Sequence, residues 1–199
     1  MGIGLGLNVN RTRGSGVLSR AGVTSQLLAV ASTTFGYAPR IGDTTTATSF
    51  DTNARVITHD ADISARLSAQ GPLMAKQTYS SAGSQSSNAP DTASLSFGNG
   101  TTDLPFSIVV LANVTDTALT RQLVAKWDNG GAQREYQFRI ATGDQLSIVF
   151  FQESIDHAPS RQSDAVITQG SLHLFGVTYD GRGGATAADG MTLYQDASV

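Results

Sequence analysis

The sequence predicts an all-β fold, a sandwich of short strands, on three observations. The second half of the chain is a series of strand-length runs, each closed by a Gly, Asp or Asn turn, at roughly ten-residue spacing. Tyr136, Phe138 and Ile140 alternate with Gln137 and Arg139, a period of two that sends apolar side chains to one face and polar ones to the other. Residues 106–114 are apolar at nearly every position, and in 145–152 Val149 and Phe151 are apolar as well as Leu146, Ile148 and Phe150. Such strands are expected to be buried on both faces or central in a sheet.

Taken in order, residues 1–16 form a Gly-punctuated segment with small apolar steps. Glycines at 2, 4 and 6, with no strand before them, do not make a dinucleotide fingerprint. The segment reads as an extended arm that orders only by docking, or as a disordered terminus. Residues 17–38 hold either a short helix at 24–32, with Thr24 or Ser25 as N-cap, or a strand. Phe35, Tyr37 and Pro39 form a turn-like aromatic patch, followed by a Thr-rich loop at 43–49. Residues 55–67 alternate fairly well, and 73–79 look like another strand. They are either a small β unit or the first strands of the sandwich. Residues 80–89 are Ser-, Gly- and Asn-rich and read as a linker. The expected division is an arm and attachment region at 1–85 and a sandwich at 86–199. Within the sandwich, 154–164 reads as a polar loop containing Pro159, and 181–190 as a long turn.

Composition narrows the function. Of 199 residues, 40% are hydrophobic, which suits a folded protein; only 15% are charged, and Ser, Thr and Gly fill the gap. A net charge of -3 with scattered basic residues gives no electrostatic footprint for nucleic acid. The absence of cysteine excludes disulfides, thiol nucleophiles and Cys-based metal centres. No stretch has the length of a transmembrane helix, and residues 1–7 lack the basic start and apolar length of a signal peptide. Without such a signal the sequons at Asn99 and Asn113 carry little meaning.

A further signal is the order of short motifs. Phe106-Ser107-Ile108, Val124-Ala125-Lys126, Val177-Thr178-Tyr179-Asp180-Gly181 and Thr192-Leu193-Tyr194 follow one another as strand and turn segments. In this order they resemble the laminin-G-like, concanavalin A-like jelly roll, in particular the copies found in bacteriophage structural proteins and bacterial surface proteins. The resemblance covers slightly over half of the chain. It departs from the family at Leu111 and Leu172, near positions where the family often has Trp, so two core anchors are expected to be smaller here. The family also continues for several strands beyond its last hairpin. The resemblance therefore implies an incomplete sandwich that other residues or a neighbouring subunit complete, since an open half would expose an apolar face.

Catalytic chemistry finds little footing. Glycosidases need two carboxylates facing one cleft, and the only glutamates, Glu135 and Glu153, are far apart and outside any strand-period run. No G-x-S-x-G elbow is present, and His59, His157 and His173 read as surface, loop and sheet histidines. Asp128, Asn129, Asp156 and Asp180 sit in candidate loops. The resemblance allows calcium there, because oxygen ligands suit it; Asp-Asn-Gly and Asp-Gly are equally ordinary turns. Trp127, the only Trp, reads either as a sugar-stacking platform or as a core or rim anchor.

The resulting expectation is a non-enzymatic phage virion protein with no required cofactor. Residues 1–85 would dock on other virion proteins, and the sandwich would face host glycans. A tail fibre or receptor-binding adhesin leads, with a homotrimer expected; a capsid decoration protein and a carbohydrate-binding module of a longer bacterial protein are the alternatives. The weak ligand-binding set is Trp127, Asp128, Asn129, Asp156, His157 and Asp180.

Overall fold

The computed structural model describes residues 46–49, 53–59, 64–67, 75–78, 86–98, 102–115, 119–131, 133–152, 156–196 and 198–199. The expected arm at 1–16, the helix or strand at 24–32 and the aromatic patch at 35–39 lie outside these residues. The chain divides into two compact units, Met1–Pro90 and Asp91–Val199.

In the first unit, β1 (Thr46–Thr48), β2 (Val56–His59) and β5 (Ser87–Asn88) form an antiparallel sheet in the order β1-β2-β5. A separate hairpin pairs β3 (Ser64–Leu67) with β4 (Ala75–Thr78). Alternation in β2 buries Ile57 and His59 and exposes Val56 and Thr58, as a period of two requires. Between β1 and β2, the Arg55 amide donates to Ser49 Oγ at 2.7 Å, and the Ser49 amide donates to the Arg55 carbonyl at 2.9 Å. The stretch read as a linker ends in a strand: Ser87 and Asn88 pair with His59 and Thr58. A Ser-rich composition signals turns but does not prevent two residues from completing a ladder.

The second unit holds two antiparallel sheets. β6 (Phe106–Asn113), β11 (Leu172–Tyr179) and β12 (Met191–Gln195) make a three-stranded sheet in the order β12-β11-β6. β7 (Arg121–Asp128), β8 (Gln133–Ile140), β9 (Gln145–Phe150) and β10 (Ser160–Val166) make a four-stranded meander. The chain thus crosses between sheets twice, after β6 and after β10. The inner faces meet in one core: Phe138, Ile140, Leu146, Ile148 and Phe150 from the four-stranded sheet, and Phe175, Val177, Tyr179, Met191 and Leu193 from the other. The all-β expectation holds.

Several readings of the sequence need correction. The Thr-rich stretch read as a loop at 43–49 holds β1 at Thr46–Thr48, and the long turn at 181–190 holds a 3-10 helix, Gly184–Gly190. Ser160 to Asp164 belong to β10 and not to a loop; a bulge between Gln162 and Val166 and exposed side chains hide its strand character. Residues 106–113 are not buried on both faces. β6 alternates half-buried and exposed positions and is a terminal strand of its sheet, so its apolar run serves a core on one side only. Leu111 and Leu172 are not core anchors; they stand on the outer face at 49% and 45% exposure. By contrast β9 lies centrally and is buried from Leu146 to Phe150, as its continuous apolar run implies.

One end of this unit is aromatic. Phe97 and Phe106 gather with Tyr136, Phe150 and Tyr179, the last two with ring centroids 4.7 Å apart. The turn after β11 closes against this end. Gly181 has φ +81°, and a Cβ there would stand 2.9 Å from the Pro105 nitrogen, so both conformation and close approach demand glycine.

Candidate functional site

The β7–β8 turn lies at the aromatic end, because Lys126 pairs with Tyr136 and Tyr136 with Phe150. Asp128 shapes the turn by accepting from the Gly130 amide at 2.8 Å, as an Asx turn does. A Cβ at Gly131 would meet Asp128 Oδ2 at 2.6 Å, which keeps that side of the turn bare. Trp127 Nε1 donates to Asn129 Oδ1 at 3.0 Å, fixing the indole on the turn.

The register then adds two residues that the sequence did not single out. Trp127 pairs with Arg134 across the turn. The Arg134 guanidinium lies 3.6 Å from the Phe151 ring centroid and 6.0 Å from that of Trp127. Phe151 stands edge-on to Trp127 at 5.5 Å, and its amide donates to the Glu135 carbonyl at 2.8 Å. Such a cation–aromatic contact at a partly exposed site contributes about 0.5–1 kcal/mol. The pair was legible in principle: a tight turn at 129–131 places 127 and 134 opposite each other.

Asp156 and His157 arrive through the next hairpin, where the Gln152 amide donates to the His157 carbonyl at 2.8 Å, directly after Phe151. Asp156 and His157 are exposed, Asp156 with φ +50°. Their side chains make no described contact with Trp127. Asp180 reaches the same end from β11, whose last residue, Tyr179, packs on Phe150. Its carboxylate is taken: Oδ2 accepts from Arg182 Nε at 2.8 Å and Oδ1 from the Arg182 amide at 3.0 Å. The hydrogen bond from the Arg182 guanidinium holds the Asp180 carboxyl below its usual range. A Cβ at Gly190 would press on the Asp180 carboxylate and displace it from this arrangement.

Asp128 and Asp180 therefore serve their own turns. Among the described residues no group of three or more His, Asp or Glu side chains is placed to hold a metal ion. The calcium reading finds no matching ligand set in those residues.

Beneath the turn, Lys126 Nζ binds Glu135, Ser96 Oγ at 2.6 Å and Asp91 Oδ1 at 3.1 Å. Burial pulls the Lys126 pKa down, but the hydrogen bonds and charges of Glu135 and Asp91 prevail and hold it above the ordinary value. Burial likewise raises the Tyr136 phenol. The cluster ties the segment entering the sandwich to β7 and β8, and it commits Glu135 to a structural ion pair. Glu153 lies outside the described residues.

Comparison with protein-family models, with curated proteins and with solved structures returned no match. No helix among the described residues is long and apolar enough to cross a membrane.

Proposed function

We propose that the Asp91–Val199 unit is a non-catalytic recognition module, carried by a phage virion protein of the tail-fibre or adhesin kind, and that it binds host glycan at the β7–β8 turn. The observation that supports this reading is the surface group of Trp127, Phe151 and Arg134. Aromatic rings beside a cation and the Asn129 amide suit a sugar, which offers C–H faces for stacking and hydroxyls for hydrogen bonds. Single sites of this size bind weakly, so avidity from several copies, a trimer among them, fits the role. The virion assignment rests on the resemblance to phage jelly rolls. Docking through residues 1–85 belongs to the same proposal.

The test is a glycan array probed with the full chain and with Trp127→Ala. Binding that disappears in the variant while the thermal midpoint stays within a few degrees supports the reading. Equal binding by both proteins, or a fall in stability with no binding by either, overturns it.

A second reading, a capsid decoration protein, is favoured by one observation. Val109, Leu111, Leu172 and Leu174 expose an apolar face on the three-stranded sheet at 41–57%, and large exposed apolar faces mark interaction surfaces. Copy number in purified particles separates the two. A count comparable to the major capsid protein selects decoration, and a low count selects a fibre.

A further inference from the structure

His173 lies on the inner-facing register of β11 opposite Ala112 and is buried, with the Phe175 ring 5.6 Å away. Its Nδ1 is 2.7 Å from Asp196 Oδ2, and its Nε2 is 2.9 Å from the Thr168 carbonyl oxygen. An ionised carboxylate and a carbonyl can only accept, whereas a neutral imidazole has a single N–H. Both bonds can form together only if both ring nitrogens carry protons. The geometry thus requires an imidazolium.

Asp196 is fastened to β11 by two more bonds. Its Oδ1 accepts from the Leu174 amide at 2.9 Å, and its own amide donates to the Leu174 carbonyl at 2.9 Å. A bridge between Gln195 and Ser198 then folds the following residues back. Asp196, Ser198 and Val199 form part of the wall of a groove of about 580 Å³ between β10 and β12, whose opposite side carries Arg161 and Asp164. β10 and β12 are the terminal strands of the two sheets. Among the described residues, the groups facing His173 are Asp196 from beyond β12, Ala112 from β6, Phe175 from β11 itself and the Thr168 carbonyl from the preceding loop. Of these only Asp196 titrates.

We propose that His173 and Asp196 form a pH-operated clamp, in which the charged imidazole holds Asp196, and with it Ser198 and Val199, as the wall of the β10–β12 groove, and its deprotonation loosens that wall. The hydrogen bond that His173 donates to Asp196 raises the His173 pKa above its ordinary value, and the same bond lowers the Asp196 carboxyl. The sign follows. The His173 contribution is complete below the ordinary histidine value, about 6.5, and is lost as pH rises through the higher folded value. The Asp196 contribution is complete above the ordinary carboxyl range and lost as pH falls through its lowered value. The clamp closes in the interval between and weakens on both sides.

The experiment uses the full chain with ¹⁵N-labelled histidine. Below the ordinary histidine value of about 6.5 the His173 ring is expected to show two protonated nitrogens, with a titration midpoint above that of a free histidine. Hydrogen exchange of the Leu174 and Asp196 amides, corrected for intrinsic pH dependence, is expected to speed up several-fold through that midpoint, while the Val177 amide at mid-strand stays protected. His173→Gln, which offers one amide where two N–H donors stood, is expected to remove the pH dependence, and Asp196→Asn provides a second route should that variant misfold. A titration midpoint at or below that of a free histidine, or exchange at Leu174 and Asp196 that tracks Val177 across the titration, overturns the proposal.

Discussion

The two sheets of the second unit share one core yet treat their outer faces in opposite ways. On the four-stranded sheet the residues that alternate with Tyr136, Phe138 and Ile140 are Gln137 and Arg139, and across from them stand Ser147 and Val149. Ser147 and Val149 are nevertheless buried, at 3% and 9% exposure. The residues paired with them are long and polar: Arg139 donates to Gln137 at 2.9 Å, and both are themselves half-buried. Long stems of this kind hide apolar surface while their heads stay near water. The outer face of the three-stranded sheet is apolar at the corresponding described positions. Leu111 pairs with Leu174, Val109 with Gly176, and all three large side chains are exposed. One sheet finishes its own surface, and the other offers an apolar one. Both inner faces contribute fully buried residues to the core, so the difference lies in the outer faces, and the three-stranded one keeps an exposed apolar surface.

The inner faces should respond alike. Phe138→Ala from one sheet and Phe175→Ala from the other each remove a fully buried ring, and each is expected to cost about 3–5 kcal/mol. Urea midpoints check this, and a clear imbalance would break the picture of one shared core. The three-stranded sheet also ends on Tyr179, whose hydroxyl donates to Asp103 at 2.6 Å and accepts from the Gly183 amide at 2.8 Å. Burial and then the Asp103 bond push its pKa up to about 12. An unfolded tyrosine ionises near pH 10, so the unfolded state loses its proton first and stability falls as pH rises from about 10 to about 12. Tyr179→Phe is expected to remove that slope, as read from urea midpoints across the interval. On the four-stranded face, Arg139→Ala removes the long side chain paired with Ser147 and is expected to cost about 1 kcal/mol.

How much of this was legible depended on what the local pattern encoded. The alternation in Gln133–Ile140 and the continuous run in Gln145–Phe150 stated the burial of β8 and β9 directly. The apolar run of β6 misled, because a strand with a core on one side and an exposed apolar face on the other spells the same letters as a doubly buried one. Only the tertiary arrangement, with β6 terminal in its sheet, distinguishes them. β10 was hidden for the opposite reason: a bulged strand with mostly exposed polar side chains carries no hydrophobic signal. At the candidate site, Trp127, Asp128 and Asn129 were visible as a turn with an aromatic. Arg134 follows from the tight turn that sets it opposite Trp127, whereas Phe151 joins through a contact across strands that no local window contains. The His173–Asp196 pair spans 23 positions and was equally out of reach.

The smallest expected effect on stability is the most informative. Leu111→Ser and Leu174→Ser alter neighbouring positions on the exposed face. Neither removes a buried side chain, so each is expected to change the unfolding free energy of the isolated chain by no more than about 0.5 kcal/mol. Association is another matter. A contact that buries these leucines would lose their transfer free energy, about 1.5–3 kcal/mol for each side chain fully covered, and would weaken by roughly tenfold or more per substitution. Sedimentation of the full chain over a range of concentrations, alongside urea unfolding, reads both quantities. Unchanged stability with lost self-association assigns the face to copies of this chain. Unchanged stability with a monomer throughout leaves the face for a different partner. A stability loss near that of Phe175→Ala would mean that the leucines are core after all, and the contrast between the two sheets would fail, because their outer faces would then differ only in composition and not in what they are for.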